Sequence, residues 1–312
     1  MFSYWEQESF WKKPDVVIIG SGIVGLNAAI AIKEKAPSLD IRIVERGLLP
    51  YGASTRNAGF ACFGSMTELL ADLTNRPLSE VISLIGSRWE GLNDLRKTLG
   101  DDALGYEPLG GNEIFLNGED HIFENAASYI EVFNKELESA LGLKQVFISD
   151  DRKLNSCGFR GIKHLIRNTA EGQLDTGKMM SALIDLATSK GIRIHTGVTV
   201  SRVEESEKEM ALVTPEGFML RCNHVLLATN GMTGRLANGL DVQPARAQVL
   251  ITEPIYELQF QGSFHYQQGY YYFRNVGNRI LFGGARNIDF KKEATDEFGI
   301  TVKIQDKLDE FL

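Results

Sequence analysis

The residues at positions 20–25, Gly-Ser-Gly-Ile-Val-Gly, have the glycine spacing of a loop that binds the pyrophosphate of a dinucleotide. Gly20 can turn the chain sharply after an apolar run, Gly22 lets the backbone approach a phosphate, and Gly25 lets a following helix pack closely on a sheet. The first amides of that helix would hold the phosphates. Glu45 lies twenty residues after Gly25, at the end of a second apolar run, where its carboxylate can accept hydrogen bonds from ribose hydroxyls. These residues predict a dinucleotide whose ribose carries no 2′-phosphate.

A second polar segment begins nine residues after that carboxylate. Ser54, Thr55 and Asn57 offer short hydrogen-bonding groups, Arg56 offers positive charge, and Gly59 allows close approach of the backbone. Such groups suit anionic phosphates. The alternative is a polar turn that is rich in small residues. Because the segment follows the acidic residue so closely, we favour binding of the dinucleotide.

The elements that must position these groups follow two patterns, and we predict an α/β chain with two interleaved domains. Residues 14–65 and 155–235 are typical of a Rossmann-like parallel sheet with helices, and residues 66–154 and 236–312 are typical of an α+β domain built on an antiparallel sheet. The periodicity predicts helices at 23–35, 66–73, 78–99, 121–141, 176–189 and 300–312. It predicts strands at 16–19, 41–44, 113–116, 192–195, 198–203, 225–228, 249–251, 270–273 and 280–282, with a hairpin at 215–217.

Composition restricts the class of ligand. The 312 residues include 33 basic and 41 acidic side chains, a net charge of −8, which disfavours nucleic acid and favours a neutral or zwitterionic small substrate. Three dispersed cysteines and five scattered histidines predict reduced thiols and no metal site. The sequence lacks a signal-peptide pattern and an apolar run long enough for a membrane span, so we predict a cytoplasmic protein without membrane association. It gives no indication of oligomeric state.

Four segments together resemble the D-amino-acid oxidase-like (DAO) family of FAD-dependent oxidoreductases, which includes glycine and sarcosine oxidases. The first is the glycine loop with Glu45-Arg46, and the second is the segment 52–59. The third is Gly-Gln-Leu-Asp at 172–175 before a helix, with Thr199-Val200 after it. The fourth is Ala-Thr-Asn-Gly at 228–231, followed by Arg-Ala-Gln at 246–248. The resemblance covers about residues 14–290.

The resemblance implies that the parallel-sheet domain binds FAD and that the other domain binds substrate. It implies hydride transfer from a small amino acid or N-methyl amino acid to the flavin, whose own chemistry requires no conspicuous catalytic acid or base. The residues that it assigns to the cofactor are Gly20, Gly22, Ile23, Val24, Gly25, Glu45, Arg46, Ser54, Thr55, Arg56, Asn57, Ala58, Gly59, Val200, Ala228, Thr229 and Gly231.

No catalytic residue is identified from the sequence, but three side chains are candidates for the substrate. Arg274 or Arg286 could bind a substrate carboxylate through the planar guanidinium fork, with Tyr272 nearby in the chain. The alternative is that these arginines pair with surface acids and that the tyrosine serves packing. His265 could carry a proton, or be an ordinary half-buried histidine.

Two further functions stay open at this stage. A 2-hydroxy-acid dehydrogenase of the same family would share the cofactor motifs, because the flavin accepts hydride from either donor. A catalytically incomplete FAD-binding protein or fragment is the other alternative, because family members continue with a strand and a glycine-rich turn into a last helix, and the sequence ends before this segment. We expect a shortened chain for that reason.

Overall fold

A computed structural model of the protein describes residues 3–237 and 239–312. Its α-helices, in chain order, are α1 (Tyr4–Ser9), α2 (Ile23–Lys35), α3 (Met66–Leu73), α4 (Leu78–Leu99), α5 (Asp101–Leu104), α6 (Asp120–Ser128), α7 (Ile130–Leu141), α8 (Thr176–Ser189) and α9 (Val302–Phe311). Single 3₁₀ segments occur at Asp151–Ser156, Asn230–Arg235 and Arg286–Ile288.

The strands give the chain both parallel and antiparallel sheets. They are β1 (Val16–Ile19), β2 (Ile41–Val44), β3 (Phe60–Ala61), β4 (Gly111–Leu116), β5 (Phe147–Ser149), β6 (Ile162–Asn168), β7 (Gly172–Gln173), β8 (Arg193–His195), β9 (Arg202–Glu205), β10 (Met210–Val213), β11 (Met219–Cys222), β12 (His224–Leu227), β13 (Gln248–Ile251), β14 (Ser263–Tyr266), β15 (Tyr271–Val276) and β16 (Arg279–Gly284).

The chain divides into two compact units, each formed by two separate stretches. The first unit comprises Met1–Asn57 and Thr176–Ala245, and the second comprises Ala58–Asp175 and Arg246–Leu312. The sequence had placed the corresponding boundaries after residues 65, 154 and 235. The structure moves them because β3 pairs with β7, and β6 pairs with β4 and β5, so that residues 58–65 and 155–175 are hydrogen-bonded within the second unit.

The first unit is built on a parallel sheet in the order β12-β1-β2-β8. Strand β1 is buried along its whole length, as an apolar run at the centre of a parallel sheet should be, and α2 packs against α8. A small antiparallel sheet, β11-β10-β9, contains the predicted hairpin at 215–217. The strand predicted at 198–203 begins only at Arg202, because Val198 donates its amide to Glu45 O and the valines before Arg202 pack into the core instead.

The second unit is built on a large mixed sheet in the order β13-β16-β15-β14-β4-β6-β5. Its strands are antiparallel, as the sequence predicts for this domain, except for the parallel pair β14 and β4. One face carries an aromatic core that is covered by α9, and Ile304 and Leu308 of that helix are buried in it. The helix predicted at 121–141 is two helices, α6 and α7, because the backbone turns at Tyr129, whose amide bonds Ala126 O three residues back.

The predicted fold class is confirmed. A parallel sheet with packed helices and a mixed sheet with its own helices occupy different units of the chain. The position of the carboxyl ends of β1, β2 and β12 decides where the candidate cofactor residues lie.

Candidate functional site

At two positions of the glycine loop of the first unit, neighbouring backbone atoms lie so close that a side chain would not fit. Gly20 has a φ of +106°, and a Cβ there would lie 2.5 Å from Ala228 O. A Cβ at Gly25 would lie 2.0 Å from Gly20 O. The loop therefore leaves β1 and enters α2 in a turn that only glycine permits at these two positions.

The first turn of α2 presents its amides beside the polar segment of the first unit. Ile23 N donates to Ser54 Oγ at 2.9 Å, and a Cβ at Gly22 would lie 3.0 Å from the same oxygen. The Ser54 hydroxyl oxygen therefore lies at the start of the helix, where an anion oxygen could also be bound. Its own hydrogen remains available for a bond to a ligand oxygen. Val24, in the same turn, is 66% exposed, so this end of the helix is open.

The carboxylate of Glu45 is fixed at the carboxyl end of β2. Its Oε2 accepts hydrogen bonds from Ser21 N at 3.0 Å and Ser21 Oγ at 2.9 Å, and its Oε1 accepts one from Gly47 N at 2.9 Å. Each carboxylate oxygen keeps acceptor capacity beyond these bonds. Arg46, by contrast, is exposed and makes no recorded hydrogen bond among the described residues.

The end of β12 completes the surroundings of the loop. Ala228 N donates to Ile19 O at 2.9 Å, and the Ala228 Cβ lies 3.3 Å from the position of a Cβ at Gly25. Thr229 Oγ1 lies 3.0 Å from Thr233 Oγ1, and Val200 packs in the core beside β1. The structure thus places the end of β12 directly against the glycine loop, as the sequence motif predicts.

Two polar side chains of the segment 54–57 donate hydrogen bonds to backbone carbonyls within residues 50–54. Thr55 Oγ1 donates to Pro50 O at 2.6 Å, and Asn57 Nδ2 donates to Ala53 O and Ser54 O, both at 3.0 Å. The Arg56 guanidinium lies 5.8 Å from the Tyr51 ring centroid. These contacts shape the segment as a compact turn. Ala58 and Gly59 belong to the second unit.

Arg274 of the second unit is a structural crosslink. Its Nη1 donates to Gly59 O at 3.0 Å and to Leu174 O at 2.8 Å, and the residue is buried. Burial lowers the pKa of its guanidinium. The side chain thereby links β15 to the residue before β3 and to the residue after β7. Part of its hydrogen-bonding capacity is used by these two backbone carbonyls.

Arg286 keeps more of its donor capacity. Its Nε is buried and has no hydrogen-bond partner among the described residues, and its guanidinium lies 5.4 Å from the Phe290 ring centroid. It follows the end of β16, where Gly283 pairs with Tyr272 of β15. Tyr272 packs edge-on against Phe60, with ring centroids 5.7 Å apart, and burial raises the pKa of its hydroxyl.

Two buried carboxyl groups of the second unit with raised pKa values were missed by the sequence analysis. Glu113 of β4 and Glu171, just before β7, are 3% and 1% exposed. Burial raises the pKa of Glu113 to about 7 and that of Glu171 to about 8. The burial of Glu113 could have been predicted from its position beside the apolar residues Ile114 and Phe115 in a strand. No local pattern marks Glu171.

Within residues 3–237 and 239–312, every helix is too short or too polar to cross a membrane. The same residues do not bring three or more histidine, cysteine, aspartate or glutamate side chains into an arrangement that could hold a metal ion.

Comparisons with known proteins agree on the type of fold. The chain is 25% identical over 241 residues to the bifunctional protein ThiO/ThiG of Synechocystis, a match that covers 76% of this chain and 32% of that protein. The chain therefore spans about a third of that curated relative. Glycine oxidase from Bacillus cereus superposes with a TM-score of 0.71 at 19% identity, over 96% of this chain and 79% of its own.

A second solved structure of similar fold is L-proline dehydrogenase from P. horikoshii. It superposes with a TM-score of 0.71 at 14% identity, over 96% of this chain and 76% of its own. The family model "DAO: FAD dependent oxidoreductase" matches residues 15–312. The chain therefore belongs to the DAO family of FAD-dependent oxidoreductases, an enzyme family whose cofactor is FAD.

Proposed function

We propose that the protein oxidises the C–N bond of a small amino acid or N-methyl amino acid. The observation that carries this substrate class is the half-buried Arg286, whose Nε is unpartnered within the described part of the chain. A planar guanidinium with free donors suits the two oxygens of a carboxylate. Two of the solved structures of similar fold are a glycine oxidase and an L-proline dehydrogenase, which supports an amino-acid substrate.

We assign cofactor binding to the first unit. The glycine loop has no side chains at positions where a Cβ would clash, so a ligand can approach its backbone closely. The start of α2 offers backbone amides. Both features fit the pyrophosphate of FAD. The Glu45 carboxylate, held by Ser21 and Gly47, fits a ribose. The same assignment extends to the end of β12, which supports the loop at Ala228.

We assign substrate binding to the second unit. When bound, FAD supplies the acceptor for the hydride. Arg286 binds the carboxylate and so fixes the orientation of the α-carbon, which is the contribution of a positioning group to the rate. Tyr272, with its hydroxyl kept neutral by burial, offers a hydrogen-bond donor on the same strand pair as Gly283.

The test is a substrate panel with the FAD-loaded protein, monitored by flavin bleaching. Glycine, sarcosine and proline are compared with the corresponding 2-hydroxy acids. Bleaching by the amino acids supports the proposal. Bleaching by hydroxy acids alone would instead assign a 2-hydroxy-acid dehydrogenase, and binding of FAD without bleaching by either group would assign a binding protein.

The assignment of Arg286 is tested by Arg286→Gln. We expect the KM for an amino acid to rise about 10- to 100-fold with a smaller change in kcat, because a charge-assisted contact to the carboxylate is lost. An amine substrate without a carboxylate should show no such difference between the variants. Arg274→Met is the matched control: it should lower the free energy of unfolding by about 2 kcal/mol, because two backbone carbonyls lose a charged donor. Equal KM values for wild type and Arg286→Gln would exclude Arg286 from the substrate site.

A further inference from the structure

A small cavity with both polar and apolar side chains in its lining lies in the second unit, on the sheet face opposite the aromatic core. Its volume is about 10 Å³, which is room for one water molecule. Glu113, Glu171, Asn168 and His265 are among the residues that line it. All four residues are buried.

The register of the large mixed sheet brings these residues together. His265 of β14 pairs with Glu113 of β4, so both side chains leave the same face of neighbouring strands, about 4.8 Å apart at the backbone. Asn168 of β6 pairs with Gly111 of β4. The Glu171 carboxyl occupies the space over that glycine, where a Cβ would lie only 1.8 Å from its Oε2. Gly111 thus makes room for the second carboxyl group.

Three side chains that line the cavity have a buried polar atom without a partner in the described part of the chain, and Ser65 Oγ is one of them. Among the residues that the structure describes, His265 Nε2 and Asn168 Nδ2 are buried and make no hydrogen bond. Asn168 Oδ1 is already used, because it accepts from Ala170 N at 3.0 Å. Since buried polar atoms in native proteins are nearly always hydrogen-bonded to protein or ordered water, the two free nitrogens point to a bound water.

The carboxyl groups lead to the same conclusion. Glu171 Oε1 accepts from Phe63 N at 2.8 Å and Gly64 N at 3.1 Å, and Glu113 Oε2 accepts from Thr67 N at 3.1 Å. Burial raises the pKa of Glu171 to about 8 and that of Glu113 to about 7, so that both groups are mainly protonated near pH 6. A protonated carboxyl also needs an acceptor for its own hydrogen. The partners recorded for Glu171 in the described residues are donors, so a water would supply that acceptor.

Glu68 of α3 connects the cavity to the surface. Its Oε2 lies 3.8 Å from His265 Nδ1, and its side chain is 35% exposed. Proton transfer between these atoms requires an approach of about 1 Å to hydrogen-bond distance. Besides burial, which has the largest effect, the Glu68 charge acts to raise the pKa values of Glu113, Glu171 and His265, and Glu113 adds to the effect on Glu171. Glu171 in turn contributes to the raised pKa values of the neighbouring Cys62 and Tyr106.

We propose that the cavity binds one water molecule, and that this water joins Glu113, Glu171 and His265 into a single proton-holding site that exchanges with solvent through Glu68. In a transfer, the Glu171 proton passes to the water, the water gives a proton to His265 Nε2, and the ring releases its Nδ1 proton to the Glu68 carboxylate. Glu171 ends as a carboxylate and Glu68 as an acid, while the water and the imidazole end neutral. The site needs neither FAD nor a particular substrate.

Infrared spectroscopy of the cofactor-free protein near pH 6 tests the stored protons. We expect a carbonyl stretch of protonated carboxyl groups that shifts in D2O, loses part of its amplitude in Glu171→Gln and disappears in the Glu113→Gln/Glu171→Gln double variant. Glu124→Gln, at an exposed carboxyl, should leave the band unchanged. Absence of the band in the wild-type protein overturns the proposal, and this result does not depend on the folding of any variant.

A high-resolution crystal structure and exchange kinetics test the other two parts. We expect one water within hydrogen-bond distance of His265 Nε2, Asn168 Nδ2 and the carboxyl groups of Glu113 and Glu171. A dry cavity, or a cation in place of the water, overturns the proposal. Glu68→Gln should slow the D2O shift of the band, and an unchanged rate would remove Glu68 as the exchange point.

Discussion

The two units of the protein present their polar groups in different ways. In the first unit the candidate cofactor site consists mainly of backbone: a glycine loop, the first amides of α2 and a carboxylate held by Ser21 and Gly47. In the second unit the polar groups are side chains on one face of the large mixed sheet, where His265 and Glu113 are buried next to each other. The first arrangement can be reached by a ligand from solvent, whereas the polar side chains of the second are buried.

This difference indicates which kind of change, a substitution or a shift of pH, each region is sensitive to. A backbone site depends on the absence of side chains at a few positions, so that the addition of a single methyl group should abolish it. A buried cluster of ionisable groups is most stable while its carboxyl groups are protonated. A change of pH alone should therefore change the stability of this region.

The largest effect is expected for Gly25→Ala in the first unit. A Cβ at this position would lie 2.0 Å from Gly20 O, so the loop must move away from its binding geometry. We expect FAD affinity to fall by about 100-fold or more and the free energy of unfolding to fall by about 3 kcal/mol. Fluorescence titration with FAD and chemical denaturation measure the two quantities.

Gly91→Ala is the matched control for that variant. Gly91 is exposed within α4, and a Cβ there meets nothing within 4 Å. The substitution should raise the free energy of unfolding by up to about 1 kcal/mol and leave FAD affinity unchanged. If both alanine variants bound FAD like the wild type, the glycine loop would not be the pyrophosphate site.

The second effect is a dependence of stability on pH that originates in the second unit. The folded chain keeps Glu113 and Glu171 protonated up to about pH 7 and about pH 8, whereas both ionise near the ordinary value of 4.5 in the unfolded chain. The folded state then binds more protons in this window, so their contribution is complete below about pH 4.5 and is lost as the pH rises through 7 to 8.

Glu171→Gln isolates this contribution, because glutamine keeps a neutral group in the same place. Between about pH 6 and about pH 8, the wild type should lose about 2 kcal/mol of unfolding free energy relative to Glu171→Gln. Glu124→Gln, at an exposed carboxyl, should follow the wild type. Parallel pH profiles for wild type and Glu171→Gln would mean that Glu171 is ionised in the folded protein.

The smallest effect is expected for Glu45→Gln. The amide keeps one acceptor oxygen for Ser21 or Gly47 but loses the charge that favours ribose hydroxyls. We expect FAD affinity to fall about 10-fold with little change in the unfolding midpoint, measured by the same titration and denaturation. An affinity equal to that of the wild type would place the ribose elsewhere.

The features that the sequence analysis predicted correctly are those with a local signal. The apolar strand, the glycine turn, α2 and Glu45 follow each other within a short stretch, so their positions on the parallel sheet could be predicted. The helices at 66–73, 78–99 and 176–189 also have the predicted bounds, because each has a clear periodicity and a polar or glycine boundary.

The features that it missed depend on pairing between distant parts of the chain. Strand β14 lies between β15 and β4, and only that pairing brings His265 next to Glu113. Arg274 was a candidate for substrate binding, but its bonds to Gly59 O and Leu174 O could not be inferred from its neighbours in sequence. Periodicity also failed at 198–201, where valines enter the core without forming a strand.

The pairing of β1 has a consequence for how the protein is made. Val16 pairs with Ile41 on one side and with His224 on the other, so the glycine loop receives its second wall only from the far end of the first unit. A chain emerging from the ribosome must complete the whole stretch Ala58–Asp175 of the second unit, and then most of Thr176–Ala245, before β12 exists. Such a topology has high contact order, and we expect slow folding with a long interval in which the half-formed parallel sheet depends on chaperones.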